Sequence, residues 1–178
     1  LALALFPAEQ AVRVLDLGTG SGAIALALAS ERPAWVVEAV DRSPDALALA
    51  RENAERCSLS ARVAFAESDW FSAVTDAYDL IVSNPPYLTD AEVAVAEPEV
   101  RQFDPVSALV APEDGLADLR KILEGARAHL RVGGWVLCET GIDQHTALAA
   151  LSAQHGYIEA EGLPDMSGRP RFWRAKRA

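Results

Sequence analysis

The segment Asn84-Pro85-Pro86-Tyr87 places an amide, two prolines and a phenol directly after an apolar run, 78–82, that is typical of a buried strand. Such a segment could bind a substrate whose reacting atom is a planar nitrogen. A nitrogen of this kind is a poor nucleophile because its lone pair is delocalised into a carbonyl or a ring. Two acceptors on its two N–H bonds would orient it and favour positive charge on the nitrogen. The Asn84 side-chain oxygen and the Pro85 carbonyl can be these acceptors, Tyr87 can pack against the planar group, and prolines add no competing N–H. The alternative is a rigid turn without chemistry.

A glycine-rich loop lies between the first predicted strand and the first predicted helix. Glycine lets a backbone turn tightly and approach a ligand closely, and a helix start offers free N–H groups. Residues 18–23 also satisfy the dinucleotide pattern G-x-G-x-x-G/A, which is a weak signal by itself. The sequence therefore predicts a cofactor loop rather than a plain strand–helix turn, formed by Gly18, Thr19, Gly20, Ser21 and Gly22.

Acidic residues around this loop narrow the class of cofactor. Asp16, at the end of the first predicted strand, would repel a pyrophosphate but could bind the ammonium of an amino acid, directly or through water. Asp41, at the end of the second predicted strand, can accept both hydroxyls of a ribose. Since the loop contains no Lys or Arg, these acids fit S-adenosylmethionine better than a dinucleotide.

Two residues after the third predicted strand extend this prediction. Asp69 can accept a hydrogen bond from the exocyclic amine of adenine, and Trp70 can lie over the adenine ring. The alternatives are an N-cap role for Asp69 in the following turn and a core position for Trp70. Together with the glycine loop, a cofactor role is favoured for both residues.

Strands alternate with helices along the chain, which predicts parallel βαβ units. The right-handed crossover rule then gives a doubly wound, mostly parallel α/β sheet with helices on both faces and ligands at the carboxyl ends of its strands. The last two strands lack a helix between them and should form an antiparallel hairpin at one edge. Ser43 is expected to cap the second helix, and the long irregular stretch 85–117 is expected to be functional. Predicted strands lie at 12–17, 35–41, 61–68, 78–83, 135–140, 157–163 and 171–176, and helices at 22–31, 43–57, 118–134 and 143–156.

The composition indicates one soluble domain. The chain has 178 residues, 51% of them hydrophobic, and a formal charge of −10. This charge argues against broad contact with nucleic acid, although the tail 167–178 is basic and could be a nucleic-acid arm or, as we favour, an edge strand carrying protective charges. No apolar run could span a membrane. Cys57 and Cys138 lack metal-ligand spacing, so we expect no metal site and reduced thiols in a cytoplasmic protein.

The opening residues lack a signal-peptide pattern. Residues 1–10 resemble the last turns of a helix, broken at Pro7. We therefore expect them to be the end of a linker or helix from a missing upstream region, with the catalytic domain at 11–178.

Five stretches together resemble the HemK/PrmC family of protein glutamine-N5 methyltransferases. They are LDLGTGSGAIALALA, AVDRSPDALALARENA, SDWF, IVSNPPY and FDPVSALVAPEDGL. The resemblance runs from about residue 12 to 160. Asn-Pro-Pro-Tyr also occurs in adenine-N6 DNA and guanine-N2 RNA methyltransferases, so segment 103–116 is the more family-specific piece.

The resemblance implies a Rossmann-like, seven-stranded methyltransferase fold. It implies S-adenosylmethionine as donor, with S-adenosylhomocysteine as product. The implied acceptor is the amide of the glutamine in the Gly-Gly-Gln loop of a peptide-chain release factor. By resemblance, the loop 18–22 and Asp41 bind the cofactor, Trp70 flanks its adenine and Asn84 touches both cofactor and substrate. Residues 84–87 hold the glutamine amide, and a monomer acting on a protein partner is expected.

The sequence also departs from the family pattern. The family's N-terminal helical domain and its proline-arginine-proline segment are absent, which predicts weak recognition of the release factor. Thr140 stands where the family often has His, and the tail after Met166 fits loosely.

Three other functions remain as alternatives. The first is a methyltransferase for an exocyclic amine of adenine or guanine, which would require a basic face or a recognition insertion. A non-catalytic binding module would be expected to lose Asn84 or Asp41. An NAD-dependent oxidoreductase would need a residue that polarises a carbonyl. His129 and His145, on predicted helices, are expected to be surface or packing residues.

Overall fold

One seven-stranded sheet organises the chain. The structure is a computed structural model, and it describes residues 1–89, 93, 111–112 and 115–178. Ten of the fourteen residues of segment 103–116 therefore lie outside the described residues. The elements are a 3₁₀ turn at Ala2–Ala4, β1 Arg13–Leu17, α1 Ala23–Glu31, β2 Val36–Asp41, α2 Pro44–Arg56, β3 Val63–Glu67, β4 Tyr78–Ser83, α3 Ala117–His129, β5 Leu130–Glu139, α4 His145–Gln154, β6 Tyr157–Pro164 and β7 Pro170–Arg177.

The strand order is β3-β2-β1-β4-β5-β7-β6. The first five strands in this order pair in parallel, and β7 pairs antiparallel with both β5 and β6. The predicted doubly wound sheet with an antiparallel edge hairpin is therefore confirmed. Successive strands are added to one side of β1 up to β3 and to its other side from β4 onward, so the strand order reverses between β1 and β4. The carboxyl ends of β1, β2 and β4 therefore meet at the switch point, where such sheets bind ligands.

Two apolar cores cover the two faces of the sheet. On one face, α3 and α4 contribute Leu119, Ile122 and Leu148. On the other, α1 contributes Ala25, Leu26, Leu28 and Ala29. Alternate residues of β1 supply both cores, as the two-residue period of a strand requires. The start of the chain packs on the second core, where Phe6 meets Trp35 edge-on at 5.8 Å between ring centroids.

The predicted helix 118–134 is wrong at its C-terminal end. The helix ends at His129, and β5 begins at Leu130, which is buried and pairs with Tyr78. Gly133 has φ of +77°, and a Cβ on Gly134 would lie 3.0 Å from the Asp79 carbonyl oxygen. The glycine pair therefore forms a register shift inside β5, where backbones approach closely, rather than a helix stop.

The edge-strand prediction for the tail is also wrong. The tail forms β7, which lies between β5 and β6, so β6 is the edge strand. Its basic side chains have partners within the domain instead of protecting an edge. These contacts are Arg169 with Asp165, Arg171 with Glu139, Arg174 with Glu161, Lys176 with Glu159, and Arg177 with the Leu130 carbonyl.

Within the described part of the chain, no helix has the length and apolar character needed to cross a membrane.

Candidate active site

A cavity of about 700 Å³ opens at the carboxyl ends of the parallel strands. This volume is within the usual range for small-molecule sites. Its walls come from the glycine loop, the starts of α2 and α3, and the segments that follow β3 and β4. The lining residues are Gly18, Gly20, Ser21, Asp41, Arg42, Ser43, Asp45, Ala46, Leu49, Ser68, Asp69, Trp70, Asn84, Pro85, Pro86 and Asp118.

The backbone of the glycine loop has a conformation that residues with a Cβ rarely adopt. Gly18, Gly20 and Gly22 have φ values of 66°, 55° and 82°, in the left-handed region. A Cβ on Gly20 would meet nothing within 4 Å, and Gly20 lines the cavity, so the space beside its backbone is open to a ligand. Close approach of a ligand to the loop backbone is therefore possible at this position.

Asp41 fixes the loop to the start of α2. Its Oδ2 accepts from the Gly20 N–H at 2.9 Å, and its Oδ1 accepts from the Ser43 N–H at 2.9 Å. A carboxylate has about four acceptor positions, so both oxygens can still accept from a ligand in the cavity.

Asp16 lies behind the loop, and it is not among the residues that line the cavity. Its side chain is 1% exposed, and its Oδ2 accepts from the Thr19 hydroxyl at 2.6 Å and the Ala25 N–H at 3.2 Å. Its Oδ1 is buried without a hydrogen-bond partner among the described residues. Burial raises the pKa of Asp16 to about 7, against the lowering effect of both hydrogen bonds. The Asp16 side chain is therefore not placed for direct contact with an ammonium group in the cavity. It stabilises the glycine loop from the interior of the domain instead.

Two of the predicted loop residues also lie away from the cavity wall. The Thr19 side chain points inward to Asp16, and its N–H donates to the Val40 carbonyl. Gly22 caps α1, and a Cβ there would lie 3.2 Å from the Ala50 Cβ. Their placement gives both residues a role in shaping the loop, whereas Gly18, Gly20 and Ser21 reach the cavity.

The turn after β3 presents Asp69 and Trp70 to the cavity. Trp70 has φ of 48° and lies over the glycine loop, with a Cβ on Gly18 coming within 3.6 Å of its ring. Ser68 shapes the turn, since its hydroxyl accepts from the Ala73 N–H and donates to the Trp70 carbonyl. Ser68 therefore makes the capping contact that the alternative interpretation assigned to Asp69. The Asp69 side chain is exposed at the cavity wall.

Asn84 lies between two cavities. It lines the large cavity and also a second one of about 210 Å³, whose walls include Ile24, Leu137, Glu139 and Phe172. Pro85 and Pro86 line the large cavity only. Neither the Asn84 side chain nor the Pro85 carbonyl forms a hydrogen bond within the described residues, so both acceptors are available.

Tyr87 is held by three polar groups that sequence reasoning missed. Its hydroxyl donates to Glu139 Oε1 at 2.8 Å and accepts from Arg171, whose guanidinium lies 4.8 Å from the ring centroid. Its carbonyl accepts from Gln144 Nε2 at 3.0 Å. Burial and the Glu139 carboxylate raise the pKa of Tyr87 to about 12, so it is a neutral phenol at physiological pH.

Thr140 and His145 form a side-chain hydrogen bond near this site. Thr140 is fully buried, and its hydroxyl lies 3.1 Å from His145 Nε2. The imidazole packs against Trp173 with 5.5 Å between ring centroids, and burial lowers the pKa of His145. His129 stacks on Phe71 at 4.9 Å. Both histidines are therefore packing residues, as predicted.

No group of three or more potential metal ligands occurs within the described ranges. Among the described residues that line it, the cavity offers the acceptors Asp41, Asp45, Asp69 and Asp118 for a cofactor, and Arg42 is the one basic residue of that described lining.

The comparisons agree with this geometry. The family model described as the methyltransferase small domain matches residues 1–102. Two relatives named release factor glutamine methyltransferase are similar: that of Cereibacter sphaeroides at 47% identity over 95% of this chain, and that of Salmonella typhimurium at 48% over 96%. The chain spans 61% of the length of each of these relatives.

A solved methyltransferase structure from Pyrococcus furiosus shows the same fold. Its TM-score is 0.70 at 21% identity, over 99% of this chain and 79% of that one. The family model covers more than half of this sequence, including the glycine loop and Asn84-Pro85-Pro86-Tyr87. The chain belongs to the methyltransferase small domain family.

Proposed function

We propose that this domain transfers the methyl group of S-adenosylmethionine to the side-chain nitrogen of the glutamine in the Gly-Gly-Gln motif of a peptide-chain release factor. The nitrogen gains the methyl group and loses one proton, and S-adenosylhomocysteine is released. The names of the relatives support this substrate. The observation that carries the proposal is the placement of Asn84 and Pro85 together on the wall of the large cavity, beside the glycine loop and Asp41, where both acceptors can reach a substrate amide next to a bound donor.

The large cavity fits this donor better than a dinucleotide. Gly20 leaves open space against the loop backbone, Asp41 retains acceptor positions for ribose hydroxyls, and Trp70 provides a flat surface for adenine. The described part of the walls carries four aspartates and one arginine, a balance that is unsuited to a pyrophosphate. When bound, this donor supplies an electrophilic methyl group on a positively charged sulfur, which an acidic cavity favours.

The residues after β4 would orient the acceptor. The Asn84 side-chain oxygen and the Pro85 carbonyl accept hydrogen bonds from the two N–H groups of the glutamine amide. These hydrogen bonds align the nitrogen and favour the positive charge that develops on it. Pro85 and Pro86 fix the backbone without offering a competing donor. No strong base is required, because the nitrogen proton becomes acidic only after the methyl group has arrived.

The domain is proposed to act as a cytoplasmic monomer on a protein partner. The alternative acceptor, an exocyclic amine of a nucleic acid, is disfavoured by the tail, since its five basic residues are paired within the domain. A nucleic-acid enzyme would instead offer such residues to phosphates.

Transfer of labelled methyl groups tests the proposal. Label should appear on a purified release factor, and neither on its Gly-Gly-Gln variant with Ala in place of Gln nor on duplex DNA. Asn84→Ala should lower the rate by about 10²–10³, as loss of one positioned polar group in a reacting site does. Gln154→Ala, at an exposed amide outside both cavities, is the matched control.

Two results would contradict the proposal. Label on the DNA alone would assign the function to the alternative. Near-normal transfer by Asn84→Ala would show that the amide clamp is wrong. The expected loss of rate supports the clamp when circular dichroism shows that the variant keeps the fold.

A further inference from the structure

The hairpin strand β7 and the start of α4 both reach the segment that follows β4. Arg171 on β7 contacts the Tyr87 side chain, while Gln144, next to α4, contacts the Tyr87 backbone. Neither residue lines the large or the small cavity. Their contacts therefore act on residues 84–87 rather than on a bound ligand.

Arg171 makes three interactions with one small group of atoms. It lies over the Tyr87 ring, donates to the Tyr87 hydroxyl and pairs with Glu139 at 3.1 Å. The side chains of Arg171 and Glu139 are 22% and 28% exposed. Charge-assisted hydrogen bonds in such a partly buried environment are stronger and more directional than fully exposed ion pairs. The result is a phenol that is fixed at both its face and its oxygen.

Gln144 fixes the same residue from the backbone side. Its Nε2 donates to the Tyr87 carbonyl at 3.0 Å, and its Oε1 accepts from the Gly141 N–H at 2.8 Å. Gly115 packs against this contact, since a Cβ there would lie 2.1 Å from the Tyr87 oxygen. Gln144 is 8% exposed. Loss of its hydrogen-bond partners would therefore leave a buried polar group unpaired and lower the stability of the fold. Gln144 thus ties the Tyr87 carbonyl to the turn after β5.

We propose that Arg171 and Gln144 are positioning residues that set the geometry of the acceptor clamp by holding Tyr87. This inference rests on the proposed function for its consequence in catalysis, but the holding of Tyr87 can be measured separately. Two prolines separate Tyr87 from Asn84, and their fixed φ angles make the segment stiff. A displacement at Tyr87 is therefore passed to the Pro85 carbonyl and the Asn84 oxygen.

A contrast within β7 isolates this role. Arg174 also pairs with an acid, Glu161, and lies 5.1 Å from the Trp135 ring centroid. Its ion pair and its ring contact resemble those of Arg171, but it makes no hydrogen bond or ion pair with residues 84–87. Arg174→Met is therefore the matched control for Arg171→Met.

Hydrogen exchange tests the positioning without any methyl transfer. In this chain, Arg171→Met and Gln144→Leu should each speed the exchange of two amides beside Tyr87 by about tenfold, the effect of losing one hydrogen bond to a charged or buried group. These are the Ala111 N–H, which donates to the Leu88 carbonyl at 3.0 Å, and the Gly115 N–H, which donates to the Ala111 carbonyl at 3.2 Å. Arg171→Lys should have a smaller effect, because an ammonium keeps the charge and a donor, although it loses the planar guanidinium contacts. Arg174→Met should leave these amides unchanged. Equal exchange in Arg171→Met, Gln144→Leu and the control would overturn the inference.

Kinetics then test the consequence in catalysis. With labelled donor and release factor, Arg171→Met and Gln144→Leu should lower kcat by about 10–10²-fold, since a misplacement of about 1 Å can cost about 10²-fold. KM for the donor should remain within about twofold, and Arg171→Lys should recover part of kcat. A raised donor KM with normal kcat would overturn the inference. Absence of transfer by the unchanged protein would contradict the proposed function, while the exchange data would still decide the positioning.

Discussion

Asp41 is the residue whose single substitution tests cofactor binding and the shape of the glycine loop together. It lines the large cavity and accepts from the Gly20 and Ser43 N–H groups at the same time. Asp41→Ala should raise the Kd for S-adenosylhomocysteine by about 10–10²-fold, because hydrogen bonds to charged groups contribute about 1.5–3 kcal/mol. Isothermal titration calorimetry measures this change directly.

Asp45→Ala is the control for this experiment. Asp45 also lines the cavity, so its loss removes the same charge, but it makes neither of the two contacts with the loop and α2. We expect a much smaller change in Kd. Equal weakening by the two variants would mean that general charge, and not the specific position and hydrogen bonds of Asp41, governs affinity.

At the residue scale, the sequence predicts those parts of the site that are contiguous in the chain. The glycine loop and Asn84 to Tyr87 are short motifs whose chemistry is visible in their residue types. Arg171 and Gln144 gave no such signal, because they meet Tyr87 across sequence separations of 84 and 57 residues. Side-chain direction was equally hidden, and the structure turns Asp16 and Thr19 inward, toward each other.

At the scale of elements, α2 connects folding with the site. Ser43 is its N-cap, accepting from the Ala46 N–H at 3.3 Å, and Pro44 begins the helix, as predicted. Ser43→Ala should lower the free energy of unfolding by about 0.5–2 kcal/mol, the usual effect of losing an N-cap oxygen. Urea denaturation, read by circular dichroism, gives this value.

Ser60→Ala, at an exposed turn after α2, is the matched control for the cap. It should change the free energy of unfolding by less than about 0.5 kcal/mol, as surface substitutions usually do. A Ser43→Ala variant as stable as this control would show that the cap hydrogen bond adds nothing to α2.

Element order and sheet type were predictable because hydrophobic periodicity and turn residues are local. The end of α3 was not, since His129 to Gly134 read as one amphipathic run closed by glycines. The structure resolves it through Leu130, which pairs with Tyr78 on a strand distant in the chain. The position of β7 inside the sheet depends likewise on the ladders it forms with β5 and β6, which its own sequence does not encode.

At the scale of the whole molecule, the charge balance has an internal explanation. The formal charge is −10, yet the tail concentrates five basic residues between 169 and 177. Four of them pair with acids on β5, β6 and the hairpin turn, and Arg177 donates to a carbonyl. The tail therefore stabilises the edge of an acidic domain.

The pH dependence of global stability tests the buried Asp16. Its pKa is 3.8 in its ordinary state and about 7 in the folded protein, so the native state binds more protons than the unfolded state between these values. The free energy of unfolding contributed by this group therefore falls as pH rises from about 4 to 7, by a total on the order of 2–4 kcal/mol, and is constant outside that window. Asp16→Asn cannot titrate, so it should gain stability relative to the unchanged protein across this window.

Thr19→Val gives the complementary variant. The Thr19 hydroxyl lowers the pKa of Asp16 by donating to its carboxylate, so its removal should extend the fall in stability to higher pH. Urea denaturation at several pH values between 4 and 9 measures all three proteins. The change in stability with pH, and not the absolute stability, reports on Asp16, because an Asn side chain leaves a buried amide whose cost is independent of pH. Parallel curves for Asp16→Asn and the unchanged protein between pH 4 and 7 would show that Asp16 is already ionised in the fold, and that the loop tolerates a buried charge.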